Sequence, residues 1–204
     1  MEAPSRWMPD GGYIEARIGP NAVLQLAPAM DRFAGEAARR ALFAPVGFDP
    51  LPGAEAMIDE RPVAALHRAL RRGHPDIADR IARAAGTATG DYILANRIPR
   101  AGQTLLCALP ASLAAPLLTR AILAHGWTFC GSGQLTARGR HPVVFTLENN
   151  PIPQVGESAA PVCHWHAACF ERLFTRLVHR HSKVVETTCC ATGAAACRFA
   201  VSWR

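Results

Sequence analysis

Apolar residues recur at helical spacing from Asn21 to about His125. We predict a first helix that Asn21 caps and that continues through Ala37, with Pro28 kinking or restarting it. A loop rich in proline and glycine follows over 45–53. The next apolar residues at this spacing are Val63, Leu66 and Leu70, which predict a second helix.

Gly73-His-Pro75 ends the second helix, and two more helices are predicted after it, from Asp76 to about Arg97 and from Ser112 to His125. Each of these two has an apolar face. The faces consist of Ile77, Ile81, Ala84, Ala85, Ala88 and Tyr92 in one helix, and of Leu113, Leu117, Ala121 and Ile122 in the other.

The apolar period changes from 3.6 to 2 at Trp127, which predicts short strands at 127–129, 143–147, 183–186 and 197–203. A helix over 163–178 interrupts these strands, with Trp165, Cys169, Phe170, Leu173, Phe174 and Leu177 on its apolar face. Helices first and short strands later indicate an α+β fold, in which N-terminal helices pack on a small antiparallel sheet. We divide the chain into an N-terminal helical region, 1–100, and a C-terminal domain, 101–204, within one compact unit.

The composition is that of a soluble globular protein, because half of the 204 residues are hydrophobic and the mean hydropathy is +0.06. Residues 1–12 are expected to be a frayed leader, since an acid and prolines stand where a signal peptide has basic and apolar residues. We expect Thr104 to Ala124 to be buried, because Arg120 would be costly inside a bilayer. These observations favour a cytoplasmic protein that lies, at most, at the periphery of a membrane.

The formal net charge is +6, and arginine supplies almost all of the positive charge because Lys183 is the only lysine. Guanidinium groups suit carboxylate or phosphate ligands. The arginines are scattered and form no stripe with interleaved aromatic residues, so we expect no nucleic-acid partner.

Five of the seven cysteines lie in the last 42 residues. An odd number of cysteines without an export signal favours reduced thiols over disulfides. A hairpin would bring Glu186, Cys189 and Cys197 together, and Cys163 begins a helix whose positive end is expected to lower its thiol pKa. Four ligands, mostly sulfur, are typical of structural zinc. Spacing alone leaves a second reading open, in which these are buried reduced cysteines; Cys169 and Cys190 also offer competing sulfurs.

The segment Cys163 … Glu186-x-x-Cys189-x-x-x-Gly193-x-x-x-Cys197-x-Phe199 resembles the C-terminal signature of the vinyl-4-reductase domain. The resemblance implies that the four positions occupied here by Cys163, Glu186, Cys189 and Cys197 hold zinc and stabilise the C-terminal hairpin. The chain departs from the family at Gly193-Ala194, where Gly-Asp is usual.

Three further segments resemble the J-protein family of bacteriochlorophyll biosynthesis, namely Arg17-Ile-Gly-Pro-Asn21, Thr89-Gly-Asp-Tyr-Ile-Leu94 with Arg97-Ile-Pro99, and Trp127-Thr-Phe-Cys-Gly-Ser-Gly133. The family is labelled a 4-vinyl reductase (the 8-vinyl group in newer numbering) of divinyl chlorophyllide-type pigments. The resemblance also implies the ligand-binding fold shared by haem-nitric-oxide sensors and Golgi transport adaptors.

The residues themselves offer no source of electrons for vinyl reduction. Gly131-Ser-Gly133 is too short for a nicotinamide-binding turn, and zinc is redox-silent. We therefore predict a factor that binds a divinyl Mg-tetrapyrrole intermediate and assists its processing or delivery, with Mg-tetrapyrrole as ligand or substrate. His164, Trp165 and His166 are the candidate ligand-binding residues, and either histidine could ligate the magnesium.

Two alternatives stay open beside this prediction, the 8-vinyl reductase of the family label and a small-molecule sensor domain. The sequence identifies neither catalytic residues nor the tetrapyrrole that binds. Candidate partners are other enzymes of the tetrapyrrole pathway, and a homodimer is one candidate for the oligomeric state.

Overall fold

The structure is a computed structural model that describes residues 16–204 of the chain, so the predicted leader over 1–12 lies outside the described residues. The helices are α1 (Asn21–Leu24), α2 (Leu26–Ala34), α3 (Glu36–Phe43), α4 (Glu60–Gly73), α5 (Ala78–Asn96), α6 (Arg100–Ala108), α7 (Ala111–Ala124), α8 (Trp127–Cys130) and α9 (His164–Leu177). The strands are β1 (Arg17–Ile18), β2 (Ile58–Asp59), β3 (Gln134–Arg138), β4 (Val143–Glu148), β5 (Lys183–Thr188) and β6 (Ala196–Ser202).

The four C-terminal strands form an antiparallel sheet in the order β3-β4-β6-β5, and β1 pairs with β2 in a separate two-stranded sheet. The α9 helix packs against this four-stranded sheet and also contacts α5 of the helical region. The α+β prediction is confirmed, because helices precede a small antiparallel sheet and pack on it. The apolar face predicted for α9 is also confirmed, since all six of its residues are buried.

The first predicted helix is divided into α1, α2 and α3. Pro28 lies in the first turn of α2, where a missing N–H costs nothing, so the proline accompanies a restart. Gly35 separates α2 from α3 with φ of 88°, a conformation that favours glycine. The predicted cap at Asn21 is wrong, since Asn21 is the first helical residue of α1 and its side chain accepts from Gln25 instead.

Small residues bring α5 and α9 into close contact. A Cβ on Gly86 would lie 2.2 Å from the carbonyl oxygen of Trp165, and one on Gly90 would lie 2.7 Å from Cβ of Arg172. The contact face is therefore rotated from the one predicted, with both glycines and Thr89 buried while Ala88 and Tyr92 are only partly buried. Apolar periodicity missed this because it gives a glycine no weight, although here the absent side chain permits the contact.

The predicted face of α7 is partly wrong. Leu113 and Leu117 are 56% and 48% exposed, whereas the small side chains of Ala114 and Ala115 are fully buried. The expectation that Thr104 to Ala124 is a buried segment is corrected accordingly, since α6 also exposes Leu105. Among residues 16–204, no helix combines the length and apolar character needed to span a bilayer.

The predicted strand at 127–129 is wrong, because residues 127–130 form the short helix α8. Its backbone is held by a turn in which the Cys130 N–H donates to the Gly126 carbonyl. The Thr128 carbonyl accepts the Gly19 N–H at 2.7 Å, which ties α8 to the chain just after β1. A three-residue alternation is too short to distinguish a strand from such a turn. The sequence analysis also missed β3 and α6.

Candidate metal centre and ligand-binding residues

Three elements bring Cys163, Glu186, Cys189 and Cys197 to one end of the four-stranded sheet. Cys163 is the residue before α9, Glu186 lies in β5, and Cys197 lies in β6. Cys189 follows β5 at the start of the turn that leads to β6, and Gly193 (φ 87°) closes that turn. A register shift between Glu186 and Thr188 marks a β-bulge, which bends the strand just before Cys189.

The ligand atoms of these four residues all lie within 4.8 Å of one another. The Cys163 sulfur is 3.7 Å from that of Cys189 and 3.6 Å from that of Cys197, and the remaining sulfur pair is 3.9 Å apart. A zinc ion with tetrahedral Zn–S bonds of about 2.3 Å requires sulfurs about 3.8 Å apart. The spacing therefore fits zinc, and all seven cysteines are free thiols.

Polar hydrogens surround the sulfurs. The Asn150 side-chain amide donates to the sulfurs of Cys163 and Cys197 at 3.3 and 3.4 Å, and the Cys190 N–H also donates to Cys197. The Cys163 N–H donates to the Glu186 carboxylate at 2.8 Å. Such donors stabilise negative charge on metal ligands and orient them. The other Glu186 oxygen, Oε1, is buried and has no hydrogen-bond partner in the protein.

The ionisation of the cluster is set by the proximity of its members. Contacts with Cys189 and Cys197, together with burial, raise the pKa of Cys163, so the expectation that the helix terminus lowers it is wrong. Contacts with Cys163 and Cys197 lower the pKa of Cys189, whereas burial raises the pKa of Glu186 to about 8. The protein alone thus favours a single thiolate here. A bound dication would stabilise the remaining charges, because metal binding releases protons from thiols.

The competing sulfurs do not join this cluster. Cys169 lies on α9 in the hydrophobic core, where burial raises its pKa to about 12. Cys190 contributes its backbone N–H to the cluster. Asn150 is the site residue that the sequence analysis missed, because Asn149-Asn150-Pro151 was interpreted only as the end of a strand. The signal available was a second asparagine beside a turn, at a position that is buried.

The three predicted ligand-binding residues lie in the first turn of α9 but differ in access. His164 is partly exposed, and its Nε2 lies 3.2 Å from the Asp79 carboxylate. Trp165 is buried, and its indole N–H donates to Thr89. His166 is buried against the rings of Trp165, Phe129 and Phe199, and burial lowers its pKa to about 4. The Nδ1 atom of His166 has no hydrogen-bond partner in the protein.

A cavity of about 230 Å³ lies beside α4 and is lined by Glu60, Arg61, Ala64, Arg68, Ser132 and Pro151. Glu60 accepts hydrogen bonds from the N–H and the hydroxyl of Ser132, each at 2.6 Å. Arg61 forms an ion pair with Asp59. Arg68 has no ion-pair partner within residues 16–204, so its guanidinium is available to an anion.

Comparison with known proteins reveals close relatives. Residues 143–202 match the model of the vinyl-4-reductase domain family. The chain is 50% identical over 200 residues to the bacteriochlorophyll synthase 23 kDa chain of Cereibacter sphaeroides, covering 98% of this chain and 97% of that protein. It is 40% identical over 185 residues to the protein of the same name from Rhodobacter capsulatus, covering 91% and 86% of the two chains.

Solved structures of H-NOX proteins share the fold. One is a mutant H-NOX protein from K. algicida in the unliganded Fe(II) state, with a TM-score of 0.57 and 6% identity, covering 92% of this chain and 97% of that one. Another is a mutant from S. oneidensis in the Fe(II) state, with a TM-score of 0.52 and 8% identity, covering 92% and 96%. The fold implied by the sequence resemblance is thereby confirmed.

Proposed function

Because the chain belongs to the family of the bacteriochlorophyll synthase 23 kDa chain, we propose that it is a tetrapyrrole-binding accessory protein of bacteriochlorophyll biosynthesis. In this role it holds a divinyl Mg-tetrapyrrole intermediate and assists its processing or delivery. The relatives are named as a chain of a synthase, which supports action beside other enzymes of the pathway.

The observation that carries this proposal is the closed ligand set of the cysteine cluster. Cys163, Glu186, Cys189 and Cys197 supply four ligand atoms, which complete a tetrahedron without a position for substrate. Structural zinc sites are closed in this way, whereas catalytic zinc keeps an open position. We assign zinc to this cluster as a structural ion that joins the β5–β6 hairpin to the start of α9. Zinc carries no electrons, so this site supplies none for vinyl reduction.

The cavity beside α4 provides a place for an acidic group of the pigment. A guanidinium binds a carboxylate through charge-assisted hydrogen bonds. Since Glu60 is engaged by Ser132 and Arg61 by Asp59, Arg68 is the lining residue with uncompensated charge. We assign Arg68 to a carboxylate of the tetrapyrrole. His164 is the candidate axial ligand of the magnesium, because it is more accessible than His166.

Metal analysis of the purified full chain tests the structural part of the proposal. We expect about one zinc per chain, and loss of most of it in Cys189→Ser. The matched control is Cys190→Ala, which changes the adjacent cysteine but leaves its N–H bond to Cys197 in place. Full occupancy by iron, or equal zinc in both variants, would contradict the assignment.

Pigment titration tests the functional part. Adding divinyl Mg-protoporphyrin to the zinc-loaded protein should shift the Soret absorption of the pigment at micromolar concentration, and NADPH should produce no vinyl reduction by mass. Turnover by the purified protein without a partner would instead establish the vinyl reductase. No Soret shift would overturn the binding proposal, whereas the zinc assignment would stand on its own measurement.

A further inference from the structure

Two leucines on α7 face solvent although the core is close by. Leu113 and Leu117 are one helical turn apart and lie on the same side of the helix, with Arg120 one turn further on. Leu123, near the end of α7, and Leu105, on the adjacent α6, are exposed as well. We call Leu113, Leu117 and Arg120 the leucine face. Scattered exposed leucines are ordinary, but successive ones along one helix face form an apolar stripe.

The charge around this face has a single sign. Between Asp91 and Glu148 the chain contains no acidic residue and five arginines, so this segment carries +5 of the chain's +6. The five are Arg97, Arg100, Arg120, Arg138 and Arg140. All five are exposed, and none forms an ion pair within the part of the chain that the structure describes. Their charge is therefore available to an external partner.

We propose that α7 docks on an anionic lipid surface through the leucine face. An interfacial helix inserts apolar side chains at the boundary between headgroups and acyl chains, while basic residues contact the headgroups. The long apolar stem of Arg120 can lie along the apolar region with its guanidinium at the headgroups. Arginines near an anionic membrane each strengthen binding, so the uncompensated charge of the segment adds to the leucine contribution.

The composition of the face favours lipid over a protein partner. Protein-binding hot spots are enriched in tryptophan, tyrosine and arginine and poor in leucine. The leucine face contains no aromatic residue, and no acidic residue lies in its sequence segment to pair with the basic groups of a protein. No step of this inference depends on pigment or zinc binding, so its failure would leave the proposed function untouched.

Vesicle flotation with the full chain tests the proposal. We expect the protein to float with phosphatidylcholine vesicles that contain about one third phosphatidylglycerol, and to float less as NaCl is raised. The Leu113→Gln/Leu117→Gln variant should bind at least about tenfold more weakly. Arg120→Gln should weaken binding by about fivefold, the effect of one basic residue near the surface.

The matched control is Val185→Gln, which removes a side chain that is 60% exposed on the edge strand β5, away from α7. This variant should bind as the unchanged protein does, and thermal unfolding should show that all variants are folded. Absence of binding to anionic vesicles, or equal binding by the leucine variant, would overturn the proposal. A dimer that the leucine variant dissociates, without vesicle binding, would assign the face to a second copy of the chain and would also overturn it.

Discussion

The side-chain amide of Asn150 donates to the sulfur of Cys163 across 3.3 Å, which joins the loop after β4 to the first residue of the metal-ligand set. The same amide reaches Cys197, and its carbonyl oxygen accepts the Ile152 N–H at 3.1 Å. Both ends of the amide are therefore assigned by their partners. One buried residue orients two sulfurs that come from different elements.

Asn150→Ala should weaken zinc binding by about 10- to 100-fold, the usual effect of losing a partner of a metal ligand. Asn150→Asp should weaken it more, because a carboxylate oxygen would replace the donor beside two thiolates. The measurement is competition with a chromophoric chelator at fixed pH. Equal zinc affinity in the three proteins would show that Asn150 has only a packing role.

The contact between α5 and α9 depends on Gly86. A Cβ there would lie 2.2 Å from the Trp165 carbonyl oxygen, so Gly86→Ala forces the helices apart. We expect this substitution to lower the free energy of unfolding by about 1–3 kcal/mol in urea titrations. Gly102→Ala on α6 is the matched control, because its nearest neighbour would be 3.9 Å away.

The control should be neutral or should raise the free energy of unfolding by up to about 1 kcal/mol, since alanine favours a helix more than glycine does. Equal effects of the two substitutions would mean that the approach of α5 to α9 is not tight. The pair thus separates the contact at Gly86 from the general preference of a helix for alanine.

The assignment of Arg68 to a pigment carboxylate predicts a selective loss of affinity. Arg68→Gln should weaken binding of Mg-protoporphyrin by about tenfold, as expected for a charge-assisted hydrogen bond of about 1.5 kcal/mol. The control is Arg72→Gln, which removes an exposed arginine from the same helix without touching the cavity.

A second comparison makes the Arg68 test specific to the carboxylate. The dimethyl ester of the same porphyrin should bind the unchanged protein and Arg68→Gln with equal affinity, because it lacks the charged group. If Arg68→Gln weakened the ester and the free acid alike, the arginine would not be recognising a carboxylate.

Sequence periodicity predicted the elements whose cores are made of large apolar side chains, such as α9, β4 and β6. It erred where small residues decide the packing. Gly86 turns the face of α5, and Ala114 and Ala115 are buried on α7 in place of Leu113. The cysteine positions could be predicted from motif and hairpin geometry. Asn150 could not, because its role depends on a loop that folds back on the cluster from a distant part of the chain.

The buried His67 makes the fold sensitive to acid. Burial and the nearby Arg71 charge lower its pKa to about 3, and its Nε2 lies 3.1 Å from the Ala22 carbonyl. An unfolded histidine titrates near a pKa of about 6.5, so between pH of about 6.5 and about 3 the unfolded chain binds one proton more at this residue than the folded protein. Stability should therefore fall as the pH falls below about 6.5, by about 1.4 kcal/mol per pH unit for this histidine.

The His67→Gln variant should reduce this pH dependence by about one proton. It should differ from the unchanged protein most at neutral pH, where both histidine forms are neutral and the glutamine has only the packing cost, and the difference should shrink as the pH is lowered. The measurement is the urea midpoint between about pH 7.5 and about pH 5, with the exposed His125→Gln as control. The cysteine cluster is the same in all three proteins, so acid release of metal cancels in the comparison. A parallel decline in the His67→Gln variant would mean that His67 accepts a proton in the folded state and that the acid sensitivity arises elsewhere.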